Sequence, residues 1–184
     1  MNFLLQSCAL ILAIGAAAPA VAAGKAATLC SPDEIVVFSC GRGAHLASIC
    51  ASKDISKTQG TMQYRFGSSG KLELVHPATP GKPVENFKGG WMSYSGGGGA
   101  FVRFSNGPFE YTAFSATGKW GPHGAPRDEQ GVAIRKDGKE FSNFVCRNLN
   151  PDVGELGPDF LDKIGLSSPD PDADFEIPDA FSKN

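Results

Sequence analysis

The chain has 184 residues, 41% of them hydrophobic and 20% charged, with 23 Gly and 13 Pro. That inventory suits one compact domain of many short elements, and it excludes a helical bundle and a disordered chain. The formal charge of −2 conceals an asymmetry: Lys25 to Arg147 holds 15 Lys/Arg against 10 Asp/Glu, net +5, whereas Asn148 to Asn184 holds 2 Lys against 9 Asp/Glu, net −7. Lys and Arg are dispersed without a run, so nucleic acid is not an expected partner.

Residues 1–23 read as a secretory signal. Ala9 to Ala18 is apolar, Pro19 follows, and Ala20-Val21-Ala22-Ala23 offers an A-x-A-like cleavage site. The apolar run is too short to persist as a membrane span, although the segment before it carries no Lys or Arg. Cys8 leaves with the signal. The expected product is soluble and periplasmic or secreted, with no membrane span after cleavage. Its domain covers residues 24–150, and residues 151–184 form an acidic tail rich in Pro and Asp.

Four cysteines remain, Cys30, Cys40, Cys50 and Cys146. An even number in an exported chain indicates two disulfides. The absence of a C-x-x-C pair argues against zinc and thioredoxin-like redox chemistry, and neither a metal nor a cofactor is expected.

A series of hairpins follows. Ile35 to Cys40 and His45 to Cys50 flank Gly41-Arg42-Gly43-Ala44. Thr61 to Phe66 and Lys71 to Val75 flank Gly67-Ser68-Ser69-Gly70. Ala100 to Ser105 and Phe109 to Ser115 flank Asn106-Gly107, and Val132 to Lys136 and Lys139 to Arg147 flank Asp137-Gly138. Asn-Gly and Asp-Gly supply the positive φ of a tight hairpin turn. With a further strand over Trp91 to Ser95, the expectation is an all-β antiparallel sandwich or barrel of about eight to nine strands.

Arg103 and Glu110, Arg135 and Glu140, and Arg65 and Glu73 fall opposite or near one another in these hairpins. They are expected to form cross-strand ion pairs on a solvent face. A first turn centred between Arg42 and Gly43 sets Cys40 against His45 and Cys50 against Ile35, on opposite faces. A Cys40–Cys50 bridge is therefore disfavoured. Two pairings remain, Cys30–Cys50 with Cys40–Cys146, which is preferred, or Cys30–Cys40 with Cys50–Cys146.

Long loops are expected at Pro77 to Val84 and at Thr117 to Gln130. In the tail, spaced prolines leave only Pro158 to Ile164 able to form a helical turn or two, and the chain beyond Ser167 is expected to be disordered.

The most distinctive segment is Ser95-Gly96-Gly97-Gly98-Gly99-Ala100-Phe101, readable as a recognition loop or as a glycine-kinked strand edge. A P-loop is excluded, since no Lys-Ser/Thr follows. Ser95, Gly96, Gly97, Gly98, Gly99, Phe101, Trp120 and His123 are the candidate binding residues, because loops on a β scaffold tend to carry contacts. No catalytic motif is present, and a non-enzymatic role is expected. Asp170, Asp172 and Asp174 begin like a calcium loop, but Phe175 and Phe181 stand where Gly and Glu are required.

The segments Cys30…Glu34-x-x-Val37-Phe38-x-Cys40, Gln63-Tyr64-Arg65-Phe66-Gly67 and Ser95-Gly96-Gly97-Gly98-Gly99 resemble a family of uncharacterised exported proteobacterial proteins. The resemblance covers most of Cys30 to Arg147 and implies an envelope setting. A looser resemblance is to small periplasmic lysozyme inhibitors, β-barrels with a Ser-Gly recognition loop. Ser95-Gly96 and Phe101 correspond, while the four glycines and the basic body depart from that pattern. The expected role is a cell-envelope binding module for a protein or glycan, in its sharpest form an inhibitor of an exported hydrolase such as lysozyme. The alternatives are a hydrolytic or glycan-modifying enzyme using His123 with Asp128 or Glu129, and a structural envelope component.

Overall fold

A computed structural model of the chain describes residues 28–94, 96–147, 154–167 and 175–178. The signal segment, Ser95 and the Asp170–Asp174 run lie outside these residues. Nine antiparallel strands form two meanders. The first sheet joins β1 (Glu34–Arg42), β2 (His45–Ser52), β3 (Met62–Ser68) and β4 (Lys71–Gly81) in that order. The second joins β5 (Lys88–Tyr94), β6 (Gly97–Asn106), β7 (Phe109–Gly118), β8 (Arg127–Lys136) and β9 (Lys139–Val145). The short helix α1 (Pro83–Asn86) connects them, and α2 (Pro158–Ile164) follows β9. The chain is an all-β sandwich, and no helix among the described residues is long and apolar enough to cross a membrane.

Strand alternation builds the core. Val37, Ile49 and Tyr64 of the first sheet meet Val102, Phe104, Ala113 and Val132 of the second, all buried. Phe104 is the hub of an aromatic stack, 4.9 Å from Tyr111, 4.4 Å from His76 and 4.8 Å from Tyr64 between ring centroids. Such pairs add about 0.5–1.5 kcal/mol each beyond burial of their area. Burial also pushes the Tyr64 phenol well above its ordinary range. Leu161 and Ile164 of α2, both fully buried, join the same core.

Cys30, in the segment before β1, bonds Cys50 of β2, and Cys40 bonds Cys146 across the sandwich. This is the first of the two expected pairings, but the register behind it differs. Gly43 adopts φ 62 and opens a Gly43-Ala44 turn, so Arg42 closes the hairpin against His45 and Cys40 faces Ala47. A bulge at Val37 then brings Cys50 opposite Val36 instead of Ile35.

Two expected loops are shorter than the sequence suggests. β4 continues through Pro77 and Pro80, which an edge strand tolerates because it lacks a partner on one side. β7 and β8 extend toward each other until only residues 119–126 connect them. At the other edge, β1 is covered by backbone bonds from Arg147 to Gly41, Glu155 to Val36 and Leu156 to Val37. In the tail, α2 falls on the expected span. Phe175–Pro178, expected to be disordered, instead pack on the second sheet.

The ion pairs are also redistributed. Arg65 forks onto Glu34, with Nη1 and Nη2 each donating at 2.7 Å, while Glu73 pairs with His45. Arg135 does face Glu140, as Asp137-Gly138 predicts. Asn106 itself closes its hairpin against Phe109, so Arg103 faces Thr112 and meets Glu110 diagonally.

Candidate functional site

The second sheet has two buried faces. Alternation in β6 sends Ala100, Val102 and Phe104 into the main core and turns Phe101 and Arg103 outward, beside Phe114 and Thr112 of β7, Met92 of β5 and Ala133 of β8. A sheet face carrying two phenylalanines needs a cover. Phe175 and Ile177 supply it, joined by Trp120. The Phe175 ring lies 5.6 Å from that of Phe101 and 5.3 Å from that of Phe114.

Arg103 sits at the centre of this face and is only 6% exposed. Its guanidinium carbon lies 5.4 Å from the Phe101 centroid and 5.9 Å from that of Phe175. Nε donates to Thr112 Oγ1 at 3.0 Å and stands 3.6 Å from Glu110 Oε1. Guanidinium does not deprotonate in proteins, so this is a permanent positive charge held by ring faces and a carboxylate. Lys88 lies opposite Arg103 in the β5–β6 register. Two clefts flank the covered strip. One of about 350 Å³ is lined by Asn86, Phe87, Lys88, Arg103, Ser105 and Glu110, among others. The other, of about 330 Å³, is walled by Thr112, Arg135, Glu140 and Asn143 on one side and by Phe175–Pro178 on the other. Chemically, the face offers an apolar slot bordered by cations and carboxylates together, Lys88 and Arg103 with Glu85 and Glu110 in one cleft and Arg135 with Glu140 and Glu176 in the other, so a ligand carboxylate next to an aromatic or aliphatic group would be received at the cations.

The residues singled out from the sequence fall in several places. Gly97, Gly98 and Gly99 belong to β6, a central strand between β5 and β7, and not to a loop. A Cβ on Gly98 would come within 2.7 Å of the Met92 carbonyl oxygen, and one on Gly99 within 2.5 Å of Ala116 Cβ. Here the glycine run serves close strand approach. Gly96 is exposed in the turn before β6. Phe101 is buried beneath Phe175, so its ring is not a surface contact. Trp120 is half-buried against the same outer cluster, over the Gly118 backbone.

His123 stands apart, exposed in a 3-10 turn (Pro122–Gly124) with φ 56. The carboxylates proposed as its partners are engaged elsewhere. Asp128 accepts from Thr117 Oγ1 at 2.5 Å, and Glu129 is buried 3.1 Å from Arg127 Nε. Burial pushes the Glu129 carboxyl up, with Arg127 pulling it back and Asp128 adding to the rise. No ion pair joins His123 to either among the described residues. Cys30, Glu34 and Cys50 converge like metal ligands, but their sulfurs are committed to a disulfide.

No family model matches the chain, no curated protein matches it, and no solved structure matches it. What the fold and the site define is a class, a disulfide-stapled β sandwich with an arginine-centred outer face strapped by its own tail. Sequence reasoning took Arg103 for a solvent-face ion pair and passed over Lys88, Thr112 and Phe175. The available signals were Arg103 two residues after Phe101 in a strand apolar on both faces, and Phe175-Glu176-Ile177 alternating within a polar tail.

Proposed function

We propose that this chain is an exported binding module of the cell envelope, and that its contact surface is the outer face of the second sheet. The observation that carries the reading is a buried arginine opening onto a cleft beside the exposed Lys88. Buried cations at a cleft wall are costly unless a partner or a structural contact compensates them, and they are well suited to receiving carboxylates. Two disulfides fit a compartment more oxidising than the cytoplasm, and the reading of residues 1–23 as a signal supports a periplasmic or secreted location.

The sharpest form of the proposal is an inhibitor of an exported hydrolase such as lysozyme. Glycoside hydrolases keep two carboxyl groups in the catalytic cleft, and Lys88 of the first cleft, like Arg135 of the second, is an exposed cation that could meet such a pair. The looser resemblance to lysozyme inhibitors supports this form through its setting. With Phe101 buried, contact falls to the cleft residues and not to that ring.

The test is inhibition of several lysozyme types by the purified chain and by a Lys88→Glu variant. Dose-dependent inhibition, weakened about tenfold or more (on the order of 1.4 kcal/mol) by Lys88→Glu, is the expected result. Absence of inhibition at micromolar protein removes the hydrolase form and leaves a binding module for another protein or glycan.

A further inference from the structure

The outer face of the second sheet already has an occupant. Phe175, 8% exposed, fills the slot over Phe101 and Phe114, and Ile177 packs on the same cluster. Among the described residues, no backbone hydrogen bond ties Phe175–Pro178 to the sheet. The contacts that hold the segment, among the described residues, are those of its side chains. A segment held this way, without ladder bonds, belongs to the part of a fold that opens most readily.

The seat has a definite chemistry. It takes an aromatic ring beside two others and the Arg103 guanidinium, then an aliphatic side chain two residues on. Arg103, Lys88 and Arg135 line the strip and its two flanking clefts, with Glu85, Glu110 and Glu140 beside them. The occupying sequence, Phe175-Glu176-Ile177-Pro178, has Asp174 before it and Asp179 after it. A body of net +5 and a tail of net −7 in the same sequence add long-range complementarity.

We propose that this face is a docking groove for a short acidic segment of a partner protein, carrying Phe and Ile two residues apart, and that Phe175–Pro178 occupies it as an internal competitor. The inference rests on reading this face as the contact surface. A tethered segment acts at an effective concentration of about a millimolar, so a partner segment of micromolar affinity is masked until the tail is displaced. Disabling the internal segment therefore raises apparent affinity for a free one by about tenfold to a hundredfold.

The probe is a fluorescein-labelled peptide with the sequence of residues 170–180, titrated by anisotropy against the full chain and its Phe175→Ala/Ile177→Ala variant. The expected result is at least tenfold tighter binding to the double variant. That binding is lost when the peptide itself carries Phe175→Ala, and it weakens about tenfold when Lys88→Glu is added to the protein. Should the double variant lose its near-ultraviolet circular dichroism, Ile177→Ala alone replaces it. Equal affinity for both proteins, or no saturable binding to a folded variant, overturns the proposal. So does a wild-type dimer that the double variant converts to monomer, since the occupant is then a second copy's tail. The two proposals fail separately: peptide binding without lysozyme inhibition leaves the groove standing, and inhibition without peptide binding removes only the segment.

Discussion

Replacing Glu34 by Gln tests how the first sheet holds the segment that precedes it. Glu34 accepts from Arg65 Nη1 and Nη2 and from the Ser31 backbone N–H, each at 2.7 Å. Arg65 also donates to the Leu29 carbonyl at 3.1 Å and to Gln63 Oε1 at 2.9 Å, so one guanidinium gathers residues 29–34 onto β3. The Arg65 and Glu34 side chains are 15% and 21% exposed, which shields the pair from most solvent screening. Gln keeps one acceptor oxygen and turns an N–H donor toward the guanidinium. One charge-assisted bond is then lost outright and the other keeps a charge on its donor alone, at a cost of about 2–3 kcal/mol. For a fold of this size that lowers Tm by about 8–12 °C.

The pH dependence gives a second handle on the same pair. Partial burial pushes the Glu34 carboxyl up, but the Arg65 hydrogen bonds and charge together with the Ser31 bond bring it net below its ordinary range. A lowered folded pKa means that the contribution is complete above the unfolded value, about 4.3, and is lost as pH falls through the folded value. Glu129, raised by burial, titrates in the opposite sense, so the informative quantity is the difference between wild type and Glu34→Gln. Urea unfolding at pH 7 and at steps down to pH 3 measures it. A difference under about 0.5 kcal/mol at pH 7, within the range of ordinary surface changes, would refute the reasoning. A gap unchanged by acid would do the same.

The two disulfides are expected to differ in worth. Loop-closure entropy for separations of 20 and 106 gives about 3.3 kcal/mol for Cys30–Cys50 and about 4.8 kcal/mol for Cys40–Cys146. Urea midpoints of the two double-Ala variants should show the inter-sheet bridge costing about 1.5 kcal/mol more, and a reversed order counts against the chain-entropy account. Among the glycines, Gly99→Ala forces a methyl against Ala116 and the Ser115 carbonyl and should cost about 1–3 kcal/mol. Gly107→Ala, whose added methyl meets nothing within 4 Å, should cost about 1 kcal/mol through its positive φ alone. Thermal melts of the two variants decide the order.

About nine strands and four hairpin pairings, β1–β2, β3–β4, β6–β7 and β8–β9, were legible because each signal is local: an apolar alternation and the turn that ends it. Asp137-Gly138 set Arg135 against Glu140 in the predicted register, since both turn residues and both strands lie within a few positions of one another. Bulges are not local in this sense. The extra residue at Val37 answers to its β2 partners, and nothing in Glu34 to Arg42 announces it. The glycine run left a loop and a kinked strand edge both open because glycine marks loops and tight strand approach alike, and only the β5 and β7 neighbours separate the two. Arg103 and Phe175 were missed for a third reason. Each makes sense only against the other, and 72 positions of chain separate them.

Each sheet is a continuous stretch of chain, and residues 82–87 are the backbone link between them. The Cys40–Cys146 bond turns the chain between those positions into a covalent ring that contains every strand after β1. A ring cut once is still one piece. A protease that nicks the α1 connection or any hairpin turn inside this ring releases no fragment, because both new ends stay tied through the sulfurs. Separation needs a second event, reduction, so in an oxidising compartment the nicked and intact chains remain the same size until a thiol is supplied.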